Sequence, residues 1–139
     1  MYLNFIEAHC SAVDFVFKGD DDVLINPKIV SNVIRTHLLT NKTAHCPFTW
    51  GCKKYDKPIR NPGSKYFIPE IIWPNHVLRY PPYFAGACYV LSGKLAVEMA
   101  RIQQQVPLFP LDDVYIGILA QKLNMTSCFK TGKITLLKI

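Results

Sequence analysis

Three consecutive aspartates, Asp20 to Asp22, directly follow an apolar, β-prone run, Phe15 to Phe17, and one lysine and glycine. Carboxylates this close repel one another and lose hydration at the end of a strand. A divalent metal would offset that charge, because hard cations take oxygen ligands and keep positions for water or phosphate oxygens. A solvated acidic turn is the alternative. The apolar residues on the other side, Val23 to Ile25, favour a site that binds a metal and a diphosphate.

A second acidic pair, Asp112 and Asp113, stands where a helix is expected to begin. Acids in that position can accept hydrogen bonds from the free N–H groups and interact with the positive end of the helix dipole, so capping alone could explain them. Both acids need not have the same role, however. One can cap while the other points into a cleft, where apolar surroundings raise its pKa toward the range of a general base.

Small residues, Ala85 to Ala87, follow two tyrosines, Tyr80 and Tyr83. Glycine lets the backbone approach a ligand closely, and aromatic faces suit sugar rings. A tight turn into a packed strand would give the same pattern. We expect Trp50 and Trp73 to pack in the core. The four histidines show no i, i+4 pairing, so we expect them to be structural or exposed rather than metal ligands.

The first half of the chain predicts a strand, a loop and a helix. Residues 14–17 form the strand, and Asn26 followed by Pro27 opens the helix with a capping side chain and a proline at the first position. Five apolar residues fall on one helix face: Ile29, Val30, Val33, Ile34 and Leu38. The helix should cover the strand, which places the acidic loop at the carboxyl edge of a sheet, where ligands commonly bind.

Further elements follow from the same kind of pattern. The expected order is a short strand over 44–50, an ordered and functional loop over 53–82, a strand over 83–91, a helix from Gly93 to Gln104 capped by Ser92, a helix over 114–123 and a strand over 129–139. Ile116, Leu119, Ala120 and Leu123 should form the inner face of the last helix.

The chain has 139 residues, of which half are hydrophobic, so it can form a single domain over residues 1–139. It contains no run of 20 apolar residues, and its first residues do not resemble a signal peptide. The net charge is +6, but the basic residues are scattered, so we expect no nucleic-acid partner. Five cysteines form no CxxC pair, which makes structural zinc improbable, and two glycosylation sequons begin at Asn41 and Asn124.

Three ordered segments resemble one family. Residues 15–23, residues 80–93 and residues 112–117 are similar to the β-1,3-galactosyltransferases and β-1,3-N-acetylglucosaminyltransferases of glycosyltransferase family 31. The Lys-Gly-Asp-Asp-Asp form and the segment 65–70 resemble the N-acetylglucosaminyltransferase branch. The resemblance implies an α/β fold of the GT-A type, with a mixed sheet flanked by helices. It also implies that residues 1–139 lack the N-terminal anchor and part of the nucleotide-binding half.

On the donor side, the resemblance implies Mn²⁺ (or Mg²⁺) as the cofactor and UDP-GlcNAc or UDP-galactose as the donor. Asp22 and Asp20 are the implied metal ligands. The nucleotide-sugar would contact Asp20, Asp21 and Asp22 together with Gly86 and Ala87. Ala87 stands where the branch often has glycine.

On the acceptor side, the resemblance implies that Asp113 is the catalytic base and that Tyr80, Tyr83 and Asp112 bind an oligosaccharide on a glycoprotein or glycolipid. The expected reaction is an inverting transfer to a 3-hydroxyl on the luminal side of the Golgi membrane, with membrane contact only through an anchor that this chain lacks. The alternatives are an inactive remnant that binds sugars or partners, and a two-metal phosphoryl-transfer or nuclease domain.

Overall fold

The computed structural model describes residues 2–40, 47, 49–132 and 137–138. The elements in chain order are α1 (Tyr2–His9), β1 (Phe15–Gly19), β2 (Val23–Leu24), α2 (Pro27–Thr40), β3 (Thr49–Lys54), β4 (Tyr83–Ser92), α3 (Gly93–Ile102), α4 (Asp112–Lys122), β5 (Lys130–Thr131) and β6 (Leu137–Lys138). Short 3-10 turns cover Gln103–Gln105 and Thr126–Cys128. No helix among these residues is long and apolar enough to cross a bilayer.

The main sheet has the strand order β1-β4-β3-β5. β1 and β3 pair antiparallel with β4 on its two sides, and β5 runs parallel to β3. β2 and β6 form a separate antiparallel pair. This mixed sheet with helices on both faces confirms the predicted α/β class. Gly19 pairs with Cys88, so β1 ends there while the first residues of β4 extend beyond it.

Alternate residues of β4 serve two separate packing layers, because successive side chains in a strand point to opposite faces. Tyr89 and Leu91 lie in the larger core with residues of α1, α3 and α4. Val90 packs instead with Val30 of α2. Helices thus pack on both faces of β4. This strand is the central one, and the other elements are positioned against it.

The start of α2 confirms the predicted cap. Asn26 Oδ1 accepts a hydrogen bond from Lys28 N at 3.0 Å, and the helix begins at Pro27. The predicted apolar face is correct only in part. Val30 is buried, but Ile29 and Leu38 are exposed, because α2 meets the sheet along a narrow stripe.

The start of α3 also follows the sequence, since Ser92 Oγ accepts from Leu95 N at 3.4 Å. The helix ends at Ile102, two residues before the predicted end, and continues as the 3-10 turn.

The buried residues of α4 extend beyond a single amphipathic face. Its inner side includes the predicted Ile116, Leu119 and Ala120, and burial extends to Val114 and Tyr115. The C-terminal end is a Schellman motif: Asn124 has φ of 58° and donates to the Gln121 carbonyl, and Met125 donates to the Ala120 carbonyl. With packing around most of its surface, α4 holds its first turn in a fixed position.

The segment between β3 and β4 is an ordered loop, as predicted. Arg60 donates from Nη1 to the Ile68 carbonyl at 2.6 Å and from Nη2 to the Trp73 carbonyl at 2.5 Å. Arg79 Nη1 donates to the Tyr55 carbonyl at 2.9 Å. Trp73 packs edge-on against Tyr80 at 5.3 Å between ring centroids. These guanidinium contacts add to backbone hydrogen bonds within the loop, such as the one from Ile68 N to the Ile59 carbonyl.

Three sequence predictions need comment. The strand predicted over 44–50 lies mostly outside the described residues, and β3 begins at Thr49 and continues to Lys54. The predicted C-terminal strand is two short strands, and residues 133–136 and 139 lie outside the description. The helix α1 was not predicted; it packs on α3, with Tyr2 Oη 3.1 Å from Tyr89 Oη.

We expect Gly117→Ala to destabilise the fold by about 1–3 kcal/mol. A Cβ at Gly117 would lie 2.7 Å from the Pro82 carbonyl oxygen and 2.8 Å from Tyr83 Cβ, so α4 would have to move away from β4. Urea unfolding measures the loss. The control is Gly63→Ala, where the nearest atom to an added Cβ is a side-chain oxygen at 3.5 Å. Equal stability of the two variants would contradict close α4–β4 packing.

Candidate active site

The acidic turn is attached to the first part of β4. Lys18 Nζ lies 2.5 Å from Asp20 Oδ1 and 2.5 Å from the Gly86 carbonyl oxygen. The backbone N–H of Asp20 donates to the Ala87 carbonyl at 3.0 Å. These contacts exist because β4 extends past the end of β1, so the residues after Gly19 continue alongside it. The turn is thus held at the carboxyl edge of β1, as predicted.

The second acidic segment meets the same part of β4. Asp113 lies in the first turn of α4, and its Oδ1 accepts from Val114 N at 2.8 Å. A Cβ built on Gly86 would lie 3.6 Å from Asp113 Oδ2 and 3.6 Å from Lys18 Nζ. Gly86 therefore lies between the catalytic-base candidate and the lysine that holds the acidic turn.

Burial raises the pKa of the Asp113 carboxyl above its ordinary value. Hydrogen bonds from Val114 N and Gly86 N oppose this shift, and the negative charge of Asp112 adds to it. The net direction is upward, because desolvation penalises the charged form more than these N–H groups stabilise it. Such a carboxylate is a better proton acceptor than an exposed aspartate, which is the property a general base requires.

Asp113 lines a cavity of about 570 Å³. One part of its wall comes from β4 and the start of α4, including Gly86, and from Tyr80 and Tyr83. The other part comes from the loop between β3 and β4 and consists of Asp56, Lys57, Ile59 and Tyr66. The volume is within the range of small-ligand sites, and the wall mixes aromatic, apolar and charged groups.

The two tyrosines that line this cavity differ in their hydrogen bonding. Tyr83 Oη donates to Asp56 Oδ2 at 2.8 Å. Tyr80 Oη is buried and has no partner among the described residues. A buried hydroxyl without a partner costs about 1–3 kcal/mol, so this group of Tyr80 opposes folding next to the cavity.

The structure thus brings together part of the predicted set. Asp113, Gly86, Tyr80 and Tyr83 share the cavity wall, while Asp20 and Ala87 make the adjoining contact with the acidic turn.

Other predicted residues lie apart from the cavity. Asp21 and Asp22 are exposed and do not line it. Asp112 is exposed too; its Oδ1 accepts from Asp113 N at 3.0 Å, so its contact is to the helix start. Asp112 consequently influences the site through its charge on Asp113 and not as part of the cavity wall.

The acidic turn fits a hard divalent cation as part of a ligand set. It offers the exposed carboxylates of Asp21 and Asp22, whereas Asp20 Oδ1 is already paired with the Lys18 ammonium. Within the described part of the chain, no three His, Cys, Asp or Glu side chains converge as ligands. One or two carboxylates suffice when substrate phosphates and water complete the coordination.

Sequence reasoning missed two groups at this site. Lys18 lies in the first of the three segments that resemble the family, but the sequence alone offered no reason to assign it a role. Only the pairing of β1 with β4 shows that Lys18 joins the acidic turn to Gly86. Asp56 lies in the loop that was predicted to be functional, yet its isolated carboxylate gave no signal for which residue of that loop matters.

Comparison with known proteins shows the family of the chain. The model of the galactosyltransferase family matches residues 1–128. The chain belongs to this family. It is 36% identical over 125 residues to the human N-acetyllactosaminide β-1,3-N-acetylglucosaminyltransferase 2 and 38% identical over 125 residues to the human UDP-GlcNAc:betaGal β-1,3-N-acetylglucosaminyltransferase 9. It is 33% identical over 125 residues to the β-1,3-galactosyltransferase 5 of Pan troglodytes.

Each of these matches covers 90% of this chain but only 30%, 30% and 40% of the respective relative. The chain therefore spans about a third of the length of the galactosyltransferase-family proteins it matches. The family resemblance expected from the three sequence segments is confirmed, and with it the general class of glycosyltransferases.

We expect Asp112→Asn to lower the pKa of Asp113, because the variant removes a like charge beside it. Titration of the Asp113 carboxyl carbon by NMR measures this pKa directly. In a transfer assay, the acid side of the pH profile should move to lower pH, since the base loses its proton sooner.

Asp14→Asn, an exposed acid ahead of β1, is the matched control and should leave the Asp113 titration unchanged. An Asp113 carboxyl that titrates at or below the ordinary aspartate value in the unmodified protein would contradict the effect of burial.

Proposed function

We propose that this chain carries the general base and part of the metal site of an inverting β-1,3-hexosyltransferase. The enzyme would move GlcNAc or galactose from a UDP-sugar to a 3-hydroxyl of an acceptor glycan on a glycoprotein or glycolipid. The observation that carries the proposal is the position of Asp113. It is a desolvated carboxylate in a cavity wall, next to the β4 residues that hold the acidic turn.

The proposed chemical role of Asp113 follows from its contacts. Oδ1 is occupied by the Val114 N–H, while Oδ2 lies near Gly86, which lines the cavity. Oδ2 would take the proton of the acceptor hydroxyl as that oxygen attacks the anomeric carbon from the face opposite the departing UDP. The configuration inverts, as in inverting glycoside hydrolysis with a sugar hydroxyl in place of water.

Asp22 and Asp20 would hold Mn²⁺ or Mg²⁺, with Asp21 and the backbone at Gly86 and Ala87 toward the nucleotide-sugar. When bound, the cation supplies Lewis-acid stabilisation of the negative charge on the departing diphosphate. Lys18 keeps Asp20 beside β4, because its ammonium contacts both the Asp20 carboxylate and the carbonyl of Gly86, a residue of the cavity wall. In this proposal, Gly86 and Ala87 of β4 connect the part of the site that binds the donor with the part that binds the acceptor.

A luminal location in the Golgi is part of the proposal. Cys128 is disulfide-bonded, and such bonds persist in oxidising compartments. Asn124, which begins a glycosylation sequon, is exposed at the end of α4 and accessible to a transferase. The other sequon begins at Asn41, outside the described residues.

We expect Asp113→Asn to retain Mn²⁺-dependent UDP binding while transfer falls on the order of 10²–10⁴-fold, the usual contribution of a general base. The amide oxygen can still accept from Val114 N, so the helix start is preserved. Calorimetry with UDP and a radiolabelled transfer assay give the two measurements. UDP binding that weakens along with transfer would count against the base assignment.

The melting temperature of this variant provides an internal control. A carboxyl whose folded pKa is raised stabilises the fold at low pH, and that stabilisation is lost as pH rises through the folded pKa. Ionised Asp113 therefore disfavours folding at neutral pH, and Asp113→Asn should melt at or above the temperature of the unmodified chain.

We expect Asp22→Ala to lose metal-dependent UDP-sugar binding, because it removes an implied direct ligand of the cation. Calorimetry with and without Mn²⁺ measures the effect, and Asp14→Ala serves as the matched control. Unchanged affinity in Asp22→Ala would refute the ligand assignment. An unmodified chain that binds no UDP in Mn²⁺ would favour the non-catalytic, sugar- or partner-binding remnant instead.

A further inference from the structure

We propose that Asp56 determines acceptor specificity, with its carboxylate accepting a hydrogen bond from a hydroxyl of an acceptor pyranose in the cavity that Asp113 lines. This inference rests on the proposed function, because it needs that cavity to receive the acceptor. It adds a residue of the β3–β4 loop to a site otherwise built from β4 and α4.

The contacts of Asp56 hold one carboxylate oxygen and leave the other available. Oδ2 accepts from Tyr83 Oη at 2.8 Å, and the backbone carbonyl accepts from Tyr80 N at 3.0 Å. No hydrogen bond from the described residues reaches Oδ1. The residue is exposed and lines the cavity, so Oδ1 is an ordered acceptor that a ligand can reach.

The Tyr83 hydroxyl is the donor in its hydrogen bond with Asp56. Burial and the hydrogen bond to Asp56 both raise the pKa of Tyr83, so its hydroxyl stays protonated and donates. The carboxylate of Asp56 is therefore the accepting partner. A hydrogen bond from a sugar hydroxyl to an ionised oxygen is stronger than one between neutral groups.

The surrounding wall matches the two kinds of surface that a pyranose presents. Tyr66, with 48% of its surface exposed, and Ile59 offer apolar contact for the C–H face of the ring. Asp56 Oδ1 offers an acceptor for its hydroxyl edge, and the buried Tyr80 hydroxyl lies beside the same cavity without a partner. A flat apolar ligand would leave these polar groups unsatisfied.

This arrangement predicts that the cavity binds the acceptor sugar more tightly than an analogue that lacks one hydroxyl. A site that hydrogen-bonds a substrate hydroxyl binds the analogue that lacks it more weakly, because the charge-assisted hydrogen bond is lost. If Asp56 supplies the acceptor, one deoxy position of the sugar should matter only while the Asp56 carboxylate is present.

The test uses the full chain and N-acetyllactosamine with its set of single-deoxy analogues, titrated by NMR in the presence of diamagnetic Mg²⁺ and UDP. We expect Asp56→Ala to weaken N-acetyllactosamine binding about tenfold, and one deoxy analogue to weaken binding to the unmodified chain by a similar factor. The two losses should not add in the variant with that analogue, because both remove one hydrogen bond. The affinity of Asp56→Asn for N-acetyllactosamine should lie between those of the unmodified chain and Asp56→Ala, since asparagine keeps an acceptor oxygen without the charge.

Asp14→Asn is the matched acidic control and should bind the disaccharide as the unmodified chain does. UDP affinity should be the same in all variants. Additive losses, equal sugar binding by all proteins, or a parallel loss of UDP binding in Asp56→Ala would overturn the assignment. If the unmodified chain binds UDP but not the sugar, this inference fails alone; if it binds neither, the proposed function fails with it.

Discussion

Both acidic segments depend for their position on two consecutive residues of β4. The Gly86 carbonyl receives the Lys18 ammonium, the Ala87 carbonyl receives the Asp20 N–H, and Gly86 lies against Asp113. Gly86 and Ala87 lie beyond the last residue of β4 that pairs with β1 and inside the register shift between β3 and β4, so their carbonyls accept from Lys18 and Asp20 rather than from a neighbouring strand. Two groups of like charge are thereby kept near one another by backbone geometry and one lysine.

The acidic residues of the site differ in how far they are buried. The helix α4 is packed on most of its surface, so its first turn presents Asp113 in desolvated surroundings. The acidic turn is exposed to water, where carboxylates remain readily hydrated. Aspartates of the same chain thus lie in two different environments, one desolvated and the others hydrated.

Local signals predicted the elements of this fold better than the way they pair. Asn26 and Ser92 cap helices as expected, and the raised pKa of Asp113 follows from the apolar residues around the acidic pair. The antiparallel pairing of β1 with β4 and the packing of α1 are long-range contacts that no local pattern encodes. The roles of Lys18 and Asp56 also depend on long-range contacts, so the sequence did not indicate that either residue belongs to the site.

The cavity has walls of unequal rigidity. Asp113 projects from a helix embedded in the core, whereas Asp56, Lys57, Ile59 and Tyr66 belong to a loop held by its own backbone hydrogen bonds and by arginine side chains bonded to carbonyl groups. Exchanges in that loop can alter the cavity wall without repacking the helix that bears Asp113. Evolution of new sugar preferences in proteins built this way would therefore proceed through the loop, with the chemistry conserved behind it.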